Sequence, residues 1–317
     1  MIKAAIDIGT VTTRLLIGEL VAGRVVALEH RIIITDLGEG LTKSGVISDA
    51  AYTRLLDALL SFRDVIDRTE AGKTLEGGEL GAILVTIVAT SAMRDARNSR
   101  EILAGLGKKG FTVEIISGTR EAELSFKGTL SGFADLGDNV MSIDVGGGST
   151  EVILGSLESL GSSILFSYSF DIGSRRITEM FLTGDPPLSS QLQDAREWIT
   201  EQTGALLSTL PEVPKEIIAV AGTATSAITI RDHITTYESA LVHGKRLSAL
   251  ELEELISQLS ALSLEERRQV PGLHPGRAPV IVGGLITLAT ILEVLGKDEL
   301  LVSDTDILQG ILLDSLL

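Results

Sequence analysis

The sequence contains no cysteine, and only 3% of its 317 residues are aromatic. Without cysteine the protein has no disulfide, no thiolate metal ligand and no cysteine nucleophile, which agrees with a reducing compartment such as the cytoplasm. With so few aromatic side chains, the hydrophobic cores must be built from Leu, Ile, Val and Ala, as in buried α/β sheets. The hydrophobic fraction of 44% excludes a disordered chain, and the length is natural for two domains.

Positive charge is scarce as well, because 27 basic residues stand against 43 acidic ones, for a net charge of −16. This balance argues against a nucleic-acid-binding protein, which needs a basic surface. The longest uncharged stretch, residues 278–292, is too short to span a bilayer, and we predict a buried helix there. Lys3, Asp7 and Arg14 in the first apolar stretch argue against a signal peptide. We therefore expect a cytoplasmic protein without a membrane or nucleic-acid partner.

The chain contains a repeated segment. Residues 7–20 read DIGTVTTRLLIGEL and residues 144–157 read DVGGGSTEVILGSL, and the two align without a gap. The aligned identities are Asp7 with Asp144, Gly9 with Gly146, Thr13 with Thr150, Gly18 with Gly155 and Leu20 with Leu157. Each copy follows an aliphatic run and leads into another, which predicts a strand, a tight turn of small residues and a second strand. A simple hairpin has no reason to duplicate its carboxylate together with its glycines and hydroxyls, so the repeat favours a functional role.

The two turns have the composition of phosphate-binding loops. Glycine lets backbone N–H groups approach an anion, Ser and Thr hydroxyls add donors, and an aspartate can hold a metal that offsets the phosphate charge. The residues that we expect to bind phosphate are Asp7, Gly9, Thr10, Thr12 and Arg14 in the first loop and Gly146, Gly147, Gly148, Ser149 and Thr150 in the second. Arg14 and Glu151 occupy equivalent positions, which indicates that one binds phosphate while the other serves a metal or water.

Both halves of the sequence open with the same order of elements. We predict strands at about residues 4–7, 14–20 and 25–34 before a helix at 49–68, and strands at about 139–144, 151–155 and 164–170 before the helices of the second half. Residues 70–81 are predicted to form an exposed loop. Alternating strands and helices after each meander predict a mixed sheet in each half. We place the boundary near residue 120, so that residues 1–120 and about 304–317 form the first domain and residues 121–303 the second.

Further motifs give the sequence a specific resemblance. They are AAIDIGT (4–10), ATSAMRDARN (89–98), EIISGTREAEL (114–124), SIDVGGGSTEVILG (142–155), DIGSRRITE (171–179), VAGTATSA (220–227) and VSDTDILQGIL (302–312). Nearly from end to end, the chain resembles the exopolyphosphatase/guanosine pentaphosphate phosphatase family of the actin-like ATPase superfamily, in its short two-domain form. The resemblance implies an α/β fold of two duplicated actin-like (ribonuclease H-like) domains with an interdomain cleft.

The resemblance also implies roles for individual residues. Glu121 matches the family's general base, which deprotonates the attacking water, and Arg94 matches an arginine expected near the phosphates. Asp144 and Glu151 match the carboxylates associated with the attacking water and with the metal, which we expect to be Mg²⁺ or Mn²⁺. The residues that correspond to the adenosine-contacting loop of the ATPase relatives, here a candidate nucleoside loop, are Gly222, Thr223 and Ala224.

We therefore expect a metal-dependent hydrolase that releases terminal orthophosphate from inorganic polyphosphate. The sequence does not separate this substrate from guanosine pentaphosphate (pppGpp), which would give ppGpp, because both end in a phosphoanhydride. An ATP-dependent small-molecule kinase and a non-catalytic sensor of polyphosphate or an alarmone are further alternatives. Val11 favours the sensor, since the family usually has asparagine there, and valine lacks a side-chain donor and disfavours a positive φ. A homodimer is implied by the resemblance alone.

Overall fold

The computed structural model describes residues 2–75, 83–134, 136–156 and 163–314. They form two α/β units, of which the first comprises Met1–Ser131 with Ile307–Leu317 and the second comprises Gly132–Asp306. Each unit has its own sheet, and helices lie between some of its strands along the sequence. The predicted α/β class, with one sheet in each half of the sequence, is confirmed.

The sheet of the first unit combines an antiparallel meander with parallel strands. Its strands are β1 (Ile2–Ile8), β2 (Thr12–Val21), β3 (Arg24–Ile34), β4 (Leu84–Ala89) and β5 (Glu114–Ile115). Its helices are α1 (Leu41–Ser44), α2 (Asp49–Leu75), α3 (Ser91–Asp95), α4 (Ser99–Gly107), α5 (Gly118–Ser131) and α13 (Ile307–Leu313). The strand order is β3-β2-β1-β4-β5; β1, β2 and β3 pair antiparallel, whereas β4 runs parallel to β1 and β5 parallel to β4.

Both faces of this sheet are covered by helices. Successive side chains of a strand point to opposite faces, and β1 follows this rule. Ile6 belongs to the core that contains Leu55 and Leu59 of α2. The preceding residue, Ala5, belongs to the core that contains Ile311 of α13. Leu55 and Leu59, one helical turn apart on α2, are both fully buried. A sheet buried on both faces explains the near-continuous aliphatic runs of β1 and β2.

Two features of the first unit differ from the expectations. Residues 70–75, predicted to belong to a loop, continue helix α2, and the remainder of that predicted loop, residues 76–81, lies outside the described residues. The helix α5, which we expected to open the second domain, belongs to the first unit because it packs along α13. The division between the units therefore falls after Ser131 instead of near residue 120.

The second unit repeats this architecture with additional helices. Its strands are β6 (Val140–Val145), β7 (Thr150–Ser156), β8 (Ser163–Phe170), β9 (Glu216–Val220), β10 (Arg246–Ser248) and β11 (Glu299–Val302). Its helices are α6 (Ser174–Met180), α7 (Ser189–Leu207), α8 (Ala221–Arg231), α9 (Ser239–Val242), α10 (Ala249–Ser260), α11 (Leu264–Arg267) and α12 (Ile281–Val294), with a 3₁₀ turn at Pro275–Arg277. The strand order is β10-β11-β9-β6-β7-β8, and β6, β9 and β11 run parallel.

The long uncharged stretch forms the buried helix that the sequence predicts. Residues 281–292 of α12 are all buried. Gly283 allows α6 to pack closely, because a Cβ at this position would lie 2.7 Å from the carbonyl oxygen of Ser174. Among the helices in the described parts of the chain, none combines the length and hydropathy that crossing a membrane requires.

The duplication seen in the sequence extends to irregularities of the two sheets. The pairing of β2 with β3 shifts register at Gly18, and the pairing of β7 with β8 shifts at Gly155, which is the aligned position. A β-bulge inserts one unpaired residue and increases the local twist of the strand. The two halves therefore share their strand geometry as well as their strand order.

The close packing of α5 against α13 depends on glycine at position 310. A Cβ added to Gly310 would overlap the carbonyl of Leu124 in α5. We expect Gly310→Ala to lower the free energy of unfolding by about 1–3 kcal/mol, the usual cost of overpacking. Urea unfolding measures the change, with Gly107→Ala as the matched control because a Cβ there meets no atom within 4 Å. Equal stability of the two variants would contradict the assignment of α5 to the first unit.

Candidate active site

The topology gathers the predicted residues of the first unit at one edge of its sheet. The first loop follows β1, Arg94 lies in α3 directly after β4, and Glu121 lies in α5 shortly after β5. Because β1, β4 and β5 are adjacent and parallel, these three segments leave the sheet at the same edge. Ligands of α/β proteins bind at the carboxyl ends of such strands.

The structure pairs the two residues expected to be catalytic. Arg94 Nη1 donates a hydrogen bond of 2.6 Å to Glu121 Oε2 and a second, of 3.1 Å, to the carbonyl oxygen of Ile116. Glu121 is buried with a relative exposure of 9%, while the Arg94 side chain keeps 21% of its surface exposed. The guanidinium of Arg94 therefore fixes the position of the Glu121 carboxylate at the same sheet edge as the first loop.

The first loop is a tight turn closed by its own backbone. Gly9 N–H donates to the carbonyl oxygen of Thr12 at 2.9 Å. A Cβ at Gly9 would lie 3.0 Å from that oxygen, which explains why the smallest residue stands there. Thr10 is buried and Thr12 is partly buried. These residues place a compact turn at the end of β1.

The carboxylate at the start of this loop is neutralised within its own sheet. Asp7 and Arg14 lie opposite each other in the pairing of β1 with β2. Arg14 donates to Asp7 Oδ2 from Nη2 at 2.7 Å and from Nε at 3.1 Å. The two side chains are 6% and 12% exposed, so the ion pair is largely buried. Arg14, expected to bind phosphate, is thus held by Asp7.

The second loop has the same turn. Gly146 N–H donates to the carbonyl oxygen of Ser149 at 3.0 Å, and a Cβ at Gly146 would lie 3.1 Å from that oxygen. The hydroxyl of Thr150 donates to the carbonyl oxygen of Ile172 at 2.6 Å. The backbone hydrogen bond that closes the loop is therefore duplicated together with the sequence.

The charges around the second loop differ from those around the first. Asp144 and Glu151 lie opposite each other in the pairing of β6 with β7, at the positions equivalent to Asp7 and Arg14. They are buried, with relative exposures of 7% and 1%, and Ser169 Oγ donates to Glu151 Oε1 at 2.6 Å. Two adjacent carboxylates in a buried position repel each other unless a cation or a proton compensates them. At the position opposite the aspartate the first loop has the cation Arg14, whereas the second has the carboxylate Glu151.

The donor set of the second loop fits a magnesium-type ion. No cluster of three or more His, Cys, Asp or Glu residues suited to a metal occurs in the described parts of the chain. Mg²⁺ needs no such cluster, because it is usually held by one or two carboxylates together with water and substrate phosphates. Asp144 and Glu151 provide those two carboxylates.

The candidate nucleoside loop lies at the start of α8, after the parallel strand β9. Thr223 is buried and donates to the carbonyl oxygen of Val145 at 3.3 Å, as Thr90 does to Ile8 in the first unit. Ala221 has a positive φ of 62°, a conformation that is uncommon for residues other than glycine. Arg277 covers the glycine of this loop, since a Cβ at Gly222 would overlap its guanidinium group.

Sequence reasoning did not find Ser169 or Arg277, and no local signal points to them. Ser169 reaches Glu151 through the pairing of β7 with β8, and Arg277 reaches Gly222 from a turn more than fifty residues away in the chain.

Val11, expected to disturb the first loop, is buried with a relative exposure of 7%, and its φ lies outside the positive region. The expected conflict between its β-branch and a positive φ does not arise.

These observations define a class of protein: a duplicated α/β fold with a glycine turn at the end of the first strand of each unit, which is the fold of the actin-like ATPases. The chain matches the Ppx/GppA phosphatase family over residues 16–317, and it belongs to that family. The family predicted from the sequence motifs is therefore confirmed. The chain is a hydrolase that acts on phosphoanhydrides.

Individual relatives cover the whole chain. It is 34% identical to a Mycobacterium tuberculosis protein named exopolyphosphatase 2, over 98% of this chain and 97% of that protein. The crystal structure of an exopolyphosphatase-like protein matches with a TM-score of 0.89 and 29% identity, over 99% of this chain and 97% of the other. The Aquifex aeolicus member of the Ppx/GppA family matches with a TM-score of 0.79 and 26% identity, over 100% and 97% of the two chains.

The buried pair of Asp7 and Arg14 yields a prediction on stability. Arg14→Gln leaves a carboxylate without its cation and should lower the free energy of unfolding by about 3–5 kcal/mol. The double variant Asp7→Asn with Arg14→Gln should lose less than the sum of its single variants, because it buries no isolated charge. Urea unfolding gives all three values.

The control for this cycle is the more exposed pair of Arg196 and Glu253, whose side chains are 21% and 50% exposed. Arg196→Gln should cost less than about 1 kcal/mol. Similar losses for Arg14→Gln and Arg196→Gln would show that Asp7 tolerates the loss of its partner.

Proposed function

We propose that the protein is a metal-dependent exopolyphosphatase, which releases orthophosphate from the end of inorganic polyphosphate. The observation that carries the proposal is the buried Glu121 held by Arg94 at the same sheet edge as the first glycine loop. The relatedness to exopolyphosphatase 2 of Mycobacterium tuberculosis supports this choice of substrate.

The chemistry assigned to Glu121 is general-base catalysis. A water molecule attacks the terminal phosphorus, Glu121 accepts its proton, and the bridging P–O bond breaks as the shortened chain leaves. Arg94 orients the carboxylate through the hydrogen bond from Nη1 and fixes itself through the carbonyl of Ile116. Because phosphoryl transfer depends mainly on positioning and electrostatics, a base held by an arginine that is itself fixed to the backbone is well suited to it.

The phosphate groups of the substrate are assigned to the two glycine loops. The expected ligands are Asp7, Gly9, Thr10, Thr12 and Arg14 in the first loop, and Gly146, Gly147, Gly148, Ser149 and Thr150 in the second. Asp144 and Glu151 would hold Mg²⁺ or Mn²⁺, which when bound supplies positive charge to the phosphate oxygens. Phosphate binding by Arg14, a cytoplasmic location and a homodimer stay predictions.

Guanosine pentaphosphate is the alternative substrate for the same chemistry. A nucleoside in the candidate loop would have to displace the Arg277 guanidinium from Gly222, which supports polyphosphate over the nucleotide. A panel of polyphosphates of several lengths and guanosine pentaphosphate, each with Mg²⁺, decides between them by measured phosphate release. Release that requires an added acceptor would support a kinase instead, and tight binding without turnover would support a sensor.

The general base can be tested by one substitution. Glu121→Gln keeps the shape of the side chain but cannot accept the proton of water, so kcat should fall by about two orders of magnitude or more. Phosphate release from polyphosphate measures the rate. Glu123→Gln is the matched control, because Glu123 lies on the same helix in a partly exposed pair with Arg120 and should keep the activity of the unmodified protein. Full activity of Glu121→Gln would reject the assignment.

The metal assignment predicts a change in metal requirement. Removal of divalent ions with a chelator should abolish phosphate release, and Mg²⁺ should restore it. Asp144→Asn and Glu151→Gln each remove one negative charge from the site, so the Mg²⁺ concentration for half-maximal activity should rise by about tenfold or more. Glu197→Gln on α7 serves as a control, since Glu197 is an exposed acid paired with Gln193. An unchanged Mg²⁺ titration in both site variants would place the metal elsewhere.

A further inference from the structure

The duplication extends to a second motif that contacts each glycine loop. Asp36, Leu37 and Gly38 follow β3, and Asp171, Ile172 and Gly173 follow β8, each at the end of the third strand of a meander. Leu37 and Ile172 are almost fully buried, with relative exposures of 0% and 1%. We name these two segments the backing segments, because each contacts the backbone or side chains of one glycine loop.

In the second unit the carbonyl oxygens of the loop are held from one side. All three glycines of the loop use their carbonyl oxygens as acceptors for the start of α6. The bonds run from Ser174 N–H to Gly146 at 2.9 Å, from Arg175 N–H to Gly147 at 2.8 Å, from Arg176 N–H to Gly147 at 3.2 Å and from Arg176 Nε to Gly148 at 3.0 Å. The first turn of α6 therefore donates to the loop itself.

This arrangement fixes the direction of the loop's donors. In a trans peptide the N–H of one residue points opposite to the C=O of the residue before it. Because the carbonyls of Gly146, Gly147 and Gly148 point towards α6, the N–H groups of Gly147, Gly148 and Ser149 point away from it. None of these three N–H groups has an acceptor among the described residues. Successive N–H groups that face one side form an anion-binding nest.

The first unit uses the same device. Gly38 N–H donates to the carbonyl oxygen of Thr10 at 2.9 Å, while Thr35 and Asp36 donate to that of Val11 at 3.1 and 2.9 Å. The carbonyl of Thr10 thus points towards its backing segment, and the N–H of Val11 points away. Val11 supplies this donor from its backbone, so the missing asparagine side chain does not remove it.

Each backing segment requires glycine where it meets the loop. A Cβ at Gly173 would lie 2.5 Å from the carbonyl group of Gly147 and from the nitrogen of Gly148. A Cβ at Gly38 would overlap Cγ2 of Thr10. Neither glycine has a positive φ, so the requirement comes from space and not from backbone conformation.

We propose that Gly38 and Gly173 are positioning residues, which hold the two loops so that their N–H groups face the phosphates. This inference rests on the proposed function, since it assigns those N–H groups to the phosphates of the substrate. A methyl group at Gly173 overlaps the peptide between Gly147 and Gly148, and one at Gly38 overlaps Cγ2 of Thr10, so each displaces the loop and misaligns its donors. An error of about 1 Å in such a position costs on the order of 10²-fold in rate.

The first loop permits a test by compensation. Gly38→Ala should lower kcat/KM for polyphosphate about tenfold or more, because its new methyl group collides with Cγ2 of Thr10. Thr10→Ser removes that methyl group and keeps the hydroxyl. The double variant Gly38→Ala with Thr10→Ser should therefore return to within about threefold of Thr10→Ser alone. A double variant that stays as impaired as Gly38→Ala would overturn the proposal, because the contact between residue 38 and Thr10 would then not be the cause of the loss.

The second loop is tested by binding as well as by rate. Gly173→Ala is prepared with and without Glu121→Gln, and it should weaken the binding of tripolyphosphate, measured by calorimetry, by about tenfold or more. The control Gly204→Ala should leave this binding unchanged, because a Cβ there meets no atom within 4 Å. Unchanged binding by Gly173→Ala would overturn the proposal.

The two hypotheses fail differently. If the unmodified protein binds tripolyphosphate but releases no phosphate, the proposed function fails while the binding experiment still tests the positioning residues. If it binds no tripolyphosphate, both hypotheses are rejected, because the loops then have no phosphate to receive.

Discussion

The requirement that a buried charge be compensated organises both halves of this protein. Each unit ends its first strand with a buried aspartate, and the residue opposite on the second strand decides how that aspartate is compensated. In the first unit the opposite residue is Arg14, which forms an internal ion pair with Asp7. In the second unit it is Glu151, which adds a second carboxylate beside Asp144. The equivalent positions opposite the two aspartates therefore carry opposite charges, a guanidinium beside Asp7 and a carboxylate beside Asp144.

Parallel strands explain how residues far apart in the chain reach a common edge. Arg94 and Glu121 are separated by a helix and a strand. Arg94 nevertheless follows the carboxyl end of β4, which pairs with β1, and Glu121 follows that of β5, which pairs with β4. The sequence alone predicted both residues as part of the site, through their motifs, but it did not predict that they bind each other. Their ion pair depends on the order of strands in the sheet, and that order is not written in either motif.

The fold could be predicted closely wherever the signal is local. Aliphatic runs bounded by small residues predicted the three-strand meanders to within a few residues, and the apolar stretch at 278–292 predicted the buried α12. The assignment of α5 could not be made in this way, because its position depends on Gly310 and α13, almost two hundred residues later. The continuation of α2 through residues 70–75 was missed because the composition of that segment resembles a loop. Ser169 and Arg277 were missed because each contacts the site only through tertiary structure.

Backbone hydrogen bonds, more than side chains, fix the geometry of the two loops. In both loops the carbonyl oxygens are bound from behind, which orients the N–H groups before any substrate arrives. Such preorganised donors need no rearrangement during the reaction, and this is the main source of electrostatic stabilisation in enzymes. Since every residue except proline carries an N–H group, valine at position 11 preserves the donor that its backbone supplies. Less freedom remains at the positions that contact the loops, because a methyl group would overlap the loop peptide at Gly173 and the Thr10 side chain at Gly38.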